Sequence, residues 1–341
     1  MSLDELRDLL ERHARPDQAT AIDGVRICRA DPGAEPEYSM SGVMLAVIAQ
    51  GGKRLALGER VYEYGVGQYL VTSADLPVTG RVAPGGRELG FGMTLEPAVI
   101  AELMLQAGPG DLPRSTGSPR PGIMVSEASA ELVDAIVRLL RLLDRPRDRR
   151  VLVPLIKREI LWLLMTGEQG EAVRQLGLAD SSLNHITRAV DWIRDNYTEA
   201  FRVEDLARSS GMSVSAFHRN FQSVTAMSPI QFQKQIRLQA ARLLLANRPH
   251  DVTGVGHRVG YDSPSQFSRE YKRQFGVPPS IDAARTREHV DQTAALVPQG
   301  LSGGPDSPQR LVGQGAGQNG RKGPVDNCLD IGHGDRRRFT R

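Results

Sequence analysis

Two stretches of this chain carry one pattern twice: Val203 to Phe221 (VEDLARSSGMSVSAFHRNF) and Val252 to Tyr271 (VTGVGHRVGYDSPSQFSREY). Val203, Leu206 and Gly211 match Val252, Val255 and Gly260. After one inserted residue, Ser213, Ser215, Phe217, Arg219 and Phe221 match Ser263, Ser265, Phe267, Arg269 and Tyr271. Each copy opens with apolar spacing for a short helix. A glycine, Gly211 or Gly260, follows where the chain needs a left-handed turn that a Cβ disfavours. A serine, Ser213 or Ser263, then offers its hydroxyl to the free N–H groups of a second helix. On that helix Phe217 with Phe221, and Phe267 with Tyr271, are four apart and anchor one face. Ser215 with Arg219, and Ser265 with Arg269, share another. The pattern predicts two helix-turn-helix units, whose second helix is of the kind that enters a DNA major groove. A lone helical hairpin with a glycine turn would say little; the duplicated arginine says more.

Between the copies, Ser228, Pro229 and Gln231 combine a cap, a first-turn proline and a capping box. Ile236, Ala240, Leu243 and Leu244 continue at helical spacing to Asn247. A helix of about 18 residues spans roughly 27 Å. Such a spacer holds two recognition helices near one DNA turn apart, about 34 Å. From residue 185 to 290 there are 15 Lys plus Arg against 10 Asp plus Glu, a surplus of five, while the whole chain carries +3. That excess favours a polyanion as partner.

Other classes are disfavoured by what the chain lacks. No run approaches the roughly 18 apolar residues of a membrane span. The acidic start, Met1 to Glu11, is unlike a signal peptide. Cys28 and Cys328 stand far apart, which suits a reducing cytoplasm and leaves no disulfide scaffold or cysteine zinc cluster. No histidine falls between His13 and His185, so a metal enzyme or a Ser-His system in the first half lacks its usual ligand or base. No catalytic residue, metal or cofactor is expected. The rival reading is a cupin enzyme, metal-free or metal-dependent, fused to helices.

From Val25 to about Leu95 short strands are expected at Gly42–Gln50, Lys53–Leu57, Arg60–Tyr64, Gln68–Thr72 and Pro77–Val82, with turns at Leu57-Gly58-Glu59 and Gly65-Val66-Gly67. Helices are expected at Pro97–Gln106, Ala128–Leu143 and Val151–Met165, with Arg145–Arg150 as a charged turn. The last two helices serve either core packing or a dimer interface. Beyond about Val290 the chain turns Gly-rich, with Arg336, Arg337 and Arg338 near its end, and is expected to be disordered. The expected fold is α+β: a β-rich domain with flanking helices over 1–180, an all-α domain over 181–290, and a tail over 291–341.

The stretch Val259 to Pro279 (VGYDSPSQFSREYKRQFGVPP) closely resembles the AraC/XylS-family DNA-binding domain, and the resemblance runs from about Ile186 to Thr286. Met227 to Leu238 (MSPIQFQKQIRL) fits one branch of it. Arg60 to Val71 (RVYEYGVGQYLV) and Asp75 to Gly80 (DLPVTG) resemble that branch's cupin-like regulatory domain. The resemblance implies a sequence-specific, effector-responsive regulator, often dimeric and often an activator. Its partners would be double-stranded promoter DNA, RNA polymerase and a small molecule not identified by sequence. It implies base-facing roles for Ser215, Arg219, Pro264, Ser265, Gln266 and Arg269, and phosphate contacts from Lys272 and Arg273. For Arg219 and Arg269 a phosphate clamp or salt bridge competes with base readout. His218 and His257 read as surface or packing residues, against a rival reading as phosphate contacts. Tyr62, Tyr64, Tyr69, Met93 and Cys28 are candidates for lining a ligand pocket, against the plainer reading of strand aromatics as core. Two features depart from the pattern: Gly254 and Gly256 inside a helix, each costing up to about 1 kcal/mol relative to Ala, and the Gly-rich tail.

Overall fold

The computed structural model describes residues 3–113, 120–247 and 251–284; the tail expected over 291–341 lies outside them. Two antiparallel sheets face each other. One orders β1 (Val25–Ala30), β8 (Glu88–Thr94), β3 (Met44–Gln50), β6 (Gln68–Thr72) and β9 (Ile123–Glu127). The other orders β2 (Glu37–Met40), β7 (Pro77–Val82), β4 (Gly52–Leu57) and β5 (Arg60–Gly65). All five strand segments expected from sequence are present. Gly58 makes the β4–β5 turn in a left-handed conformation, and between β5 and β6 the Gly67 N–H donates to the Ile48 carbonyl at 3.0 Å. Strand β9 was not expected. It is five residues long and returns after a helix to pair with β6, so its partner is distant in sequence.

Helix α1 (Leu3–His13) buries Leu6, Leu9 and Leu10 against the five-stranded sheet. Helix α2 (Pro97–Gln106) falls where the sequence puts it. Helix α3 (Ala130–Arg141) is capped by Ser129, which accepts from the Leu132 N–H at 3.2 Å, and closes in a 3-10 turn at Leu142–Asp144. Helix α4 (Pro146–Thr166) corrects the expected charged turn at Arg145–Arg150, since most of that segment is its first turn. Pro146 starts it without an N–H to strand. The Arg149 guanidinium reaches back to the Leu142 carbonyl at 2.8 Å and to that of Leu143, so the charge there closes the previous helix. The C-terminal half of α4 buries Ile160, Leu161, Leu164 and Met165, while Val151 and Leu155 stay exposed.

After α5 (Gly170–Gly177) come α6 (Ser182–Asp195), α7 (Val203–Ser209), α8 (Val214–Thr225), α9 (Pro229–Asn247), α10 (Val252–Arg258) and α11 (Pro264–Phe275). The apolar core does not part near residue 180. The cluster that fills the sandwich continues through Ile186 and Val190 of α6 to Phe217 and Phe221 of α8 and to Phe232 and Ile236 of α9. A second cluster begins at Leu238 and contains Val255, Val259, Tyr261, Phe267, Tyr271 and Ala283, with no sandwich residue. The change of core thus falls inside α9.

Candidate nucleic-acid interface

Both repeats fold as helix-turn-helix units. Gly211 and Gly260 adopt φ of +65° and +92°. Ser213 accepts from the Ala216 N–H and Ser263 from the Gln266 N–H, each at 3.3 Å. At Ser228 the capping box is complete: Gln231 N–H donates to the serine Oγ, and the Ser228 N–H donates to Gln231 Oε1 at 2.9 Å. At Ser263 only half of the box forms, because the Gln266 amide turns along its helix to Glu270 Oε1 at 3.3 Å. Helix α9 has 19 residues, close to the expected spacer.

The aromatic pairs pack as the spacing requires. Phe217, Phe221, Phe267 and Tyr271 are fully buried. The ring centroids of Phe217 and Phe221 lie 5.6 Å apart, as do those of Phe267 and Tyr271. Gly256 belongs to this packing. A Cβ there would lie 3.0 Å from Phe267 Cδ1, so the residue that weakens α10 as a helix lets it approach α11. Gly260 answers two demands, the left-handed turn and proximity: a Cβ would lie 2.6 Å from the Thr198 carbonyl oxygen.

With these faces buried, the opposite faces are open. On α8 they carry Ser215, His218, Arg219 and Gln222, the i, i+3, i+4 and i+7 positions of one face. On α11 they carry Pro264, Ser265, Gln266, Arg269, Lys272 and Arg273. Among the described residues, no ion pair engages Arg219, Arg269, Lys272 or Arg273, so their charges face outward. Glu270, which would spoil a cationic face, is turned inward. It accepts from Lys234 Nζ and the Tyr261 hydroxyl, each at 2.9 Å. Burial raises its pKa, but the bonds from Lys234, Tyr261 and Gln266 outweigh that and hold it below the usual carboxylate range. The exposed side of α11 is therefore cationic, and that of α8 is polar with one arginine.

Sequence reasoning missed Gln222, Lys234 and Arg237. Gln222 was legible, one turn beyond Arg219. Arg237 was not, because its partners are remote carbonyls. Its Nε donates to Tyr197 at 2.6 Å, Nη1 to Gly260 at 2.7 Å and Nη2 to Thr198 at 3.1 Å. One guanidinium thus braces the turn of the second unit against the lead-in to the first.

The pocket candidates do not share a cavity wall. Strand register places Tyr62 and Tyr64 on the face of β5 that carries Leu55 and Lys53 of β4, toward the other sheet. Tyr69 pairs with Val47 and Ser126, and Met93 with Leu45 and Val25, on the helix-covered face of the five-stranded sheet. Between the sheets, Lys53 Nζ lies 3.1 Å from Glu88 Oε1, with Tyr64 and Cys28 nearby. Burial disfavours the Lys53 ammonium, but Glu88 and Tyr64 more than offset this and raise its pKa. Burial pushes up the carboxyl of Glu88, less the counter-effect of Lys53. Burial also pushes the Cys28 thiol up, and its Sγ lies 3.5 Å from Gln18 Oε1. That is the opposite of the lowered pKa a reactive thiol sensor requires.

Two family models match the chain in order. The AraC-type transcriptional regulator N-terminus matches residues 21–172, and a helix-turn-helix domain matches residues 206–284. The virulence regulon transcriptional activator VirF of Yersinia enterocolitica is 28% identical over 174 residues, covering 50% of this chain and 62% of its own length. The transcriptional regulator ExsA of Pseudomonas aeruginosa is 28% identical over 177 residues, covering 52% and 62%. The chain thus spans somewhat under two thirds of the curated relatives it matches. A solved structure described as "a probable AraC family transcriptional regulator from Rhodopseudomonas palustris CGA009" is 30% identical. That match covers 30% of this chain and 98% of that one, with a TM-score of 0.29.

Proposed function

Starting from the fact that the chain belongs to the AraC family of transcriptional regulators, we propose that it binds promoter DNA sequence-specifically by placing α8 and α11 in successive major-groove segments. The observation that carries this reading is the pair of solvent-facing stripes, Ser215–Arg219 and Ser265–Arg269. Each lies on a helix whose other face is buried, and the two helices flank one continuous spacer. Arg219 and Arg269 are suited to guanine edges, Gln266 to adenine, and Lys272 and Arg273 to phosphates. The matched family and relatives are transcriptional regulators, and none supports the cupin-enzyme reading.

In this proposal residues 1–180 form the effector-sensing part and 181–290 the DNA-binding part. The division is drawn along the chain between α5 and α6, across an apolar core that the two parts share. A small molecule shifts the population of states that present the two helices, and contact with RNA polymerase makes the protein an activator. The exposed Val151 and Leu155 of α4, beside the half-exposed Ile156, favour a homodimer joined along that helix. Among the described residues no helix is long and apolar enough to cross a membrane, and a cytoplasmic site of action fits a regulator of promoters.

The test is in vitro selection of duplexes by the full chain from a random pool. The reading expects a consensus of two segments, with binding weakened when either is scrambled. Enrichment of no sequence refutes it.

A further inference from the structure

The two units are attached to the sandwich in different ways. The first shares its apolar core with it. The second has its own core, and its link to the sandwich runs through a small cluster of rings and charges. Tyr38, on the edge strand β2, packs edge-on against Phe275, the last residue of α11, with ring centroids 4.8 Å apart. The Arg242 guanidinium of α9 lies over both rings, 4.4 Å from the Tyr38 centroid and 5.4 Å from that of Phe275. Its Nε donates to Asp282 Oδ2 at 2.9 Å, and its Nη2 lies 3.8 Å from Glu35 Oε2, just before β2. The same Asp282 oxygen accepts from the Tyr271 hydroxyl at 2.7 Å, and the Tyr271 ring lies 4.5 Å from Phe275.

We propose that Tyr38 is a positioning residue for DNA readout: through Arg242 and Phe275 it fixes the direction of α11, so that the sensing domain sets the spacing between the two recognition helices. This rests on the reading that α8 and α11 both engage DNA. Tyr38 itself lies on the sandwich and acts through others. Its ring is held by an arginine of α9 whose partner Asp282, in the helical segment that follows α11, also accepts from Tyr271 of α11. A stacked guanidinium supplies orientation as well as attraction, because it is planar and its donors point in fixed directions. The first unit cannot move relative to the sandwich without opening a core. Among the described residues the second meets the sandwich through this clasp and the side-chain amides of Gln235 and Gln239, which donate to the Pro77 and Val78 carbonyls of β7 at 3.2 and 3.4 Å, while Arg237 braces its turn against the lead-in to the first unit rather than against the sandwich. Tyr38 is therefore the place where a change in the β-sandwich reaches one recognition helix and not the other.

The test uses the full chain and the duplex it selects from a random pool, resynthesised with its two segments moved apart by one and by two base pairs. Wild type is expected to lose affinity about ten-fold or more with each shift, on the scale of a lost base contact. Tyr38→Ala is expected to flatten that dependence to within about three-fold, and Tyr38→Phe, which keeps the ring, to retain the wild-type profile. Backbone amide exchange without DNA is a second readout. Tyr38→Ala should speed exchange in residues 264–275 and leave 214–225 unchanged. The proposal is overturned if Tyr38→Ala keeps the wild-type spacing profile, loses affinity equally at every spacing, or leaves exchange in α11 unaltered. A wild-type chain that selects no duplex refutes the DNA reading instead, and the exchange measurement still decides the clasp.

Discussion

Gly256→Ala sets two effects against each other. In a helix interior alanine is favoured over glycine by up to about 1 kcal/mol. The added methyl, however, would lie 3.0 Å from Cδ1 and 3.2 Å from Cγ of Phe267. That ring is fully buried, with Tyr261 and Tyr271 centroids at 5.3 and 5.6 Å, so it has little room to give way. Overpacking of this kind costs about 1–3 kcal/mol. The steric effect wins, and the second unit should lose about 1 kcal/mol. Gly254→Ala is the control. There the methyl meets the carboxylate of Asp251, the end of a flexible exposed side chain that caps the Gly254 N–H. The lost cap, about 1 kcal/mol, roughly cancels the propensity gain. Amide exchange in α11 is the assay, since a loss of about 1 kcal/mol speeds exchange governed by the opening equilibrium about five-fold. A Gly256→Ala protein whose α11 amides exchange at or below the wild-type rate refutes the reasoning.

Three further outcomes follow from the structure. Lys53→Met leaves the Glu88 carboxylate buried without its cation and should destabilise the sandwich by about 3–5 kcal/mol, most of it restored by Lys53→Met with Glu88→Leu, as thermal melting would show; no loss in the single variant contradicts the buried pair. Glu270 titrates below the usual carboxylate range, so its contribution is present above the unfolded value of about 4.3 and fades as pH falls through the folded value. Wild-type protection of α11 should therefore drop below about pH 4 more steeply than that of Glu270→Gln, and parallel curves would exclude the effect. A fragment of residues 181–290 should melt well below the full chain, because the cut opens the apolar core that α6, α8 and α9 share with the sandwich, and Arg194 also loses Asp75, its partner at 2.9 Å; equal melting would show that the sandwich contributes nothing to it.

What was legible in the sequence was local chemistry. Gly211, Gly260, Ser213, Ser228 and Ser263 each act within a few residues, and the strands from β3 to β7 alternate with turns whose composition announces them. The face of α8 that includes Gln222 follows from the same spacing that marks Arg219. What escaped depends on contacts distant along the chain. Strand β9 needs β6 to pair with. The start of α4 looks like a polar turn until Arg149 is seen closing the previous helix. Tyr64 and Tyr69 are both aromatic strand residues, and only the register separates their faces. The pairing of Tyr38 with Arg242, and the change of core between Ile236 and Leu238, leave no mark in composition or periodicity.

The account stands on two units reading two separate base positions. Affinities of wild type, Arg219→Ala, Arg269→Ala and Lys272→Ala, measured at one salt concentration over every single-base variant of the selected duplex, test this directly. Arg219→Ala and Arg269→Ala should each cost about 1–3 kcal/mol and relax preference at one position, the two positions lying about 10 base pairs apart. Lys272→Ala should weaken all sequences alike and lower the salt slope by about one ion. Uniform losses across every variant for both arginines, or relaxation of both at the same position, would contradict it.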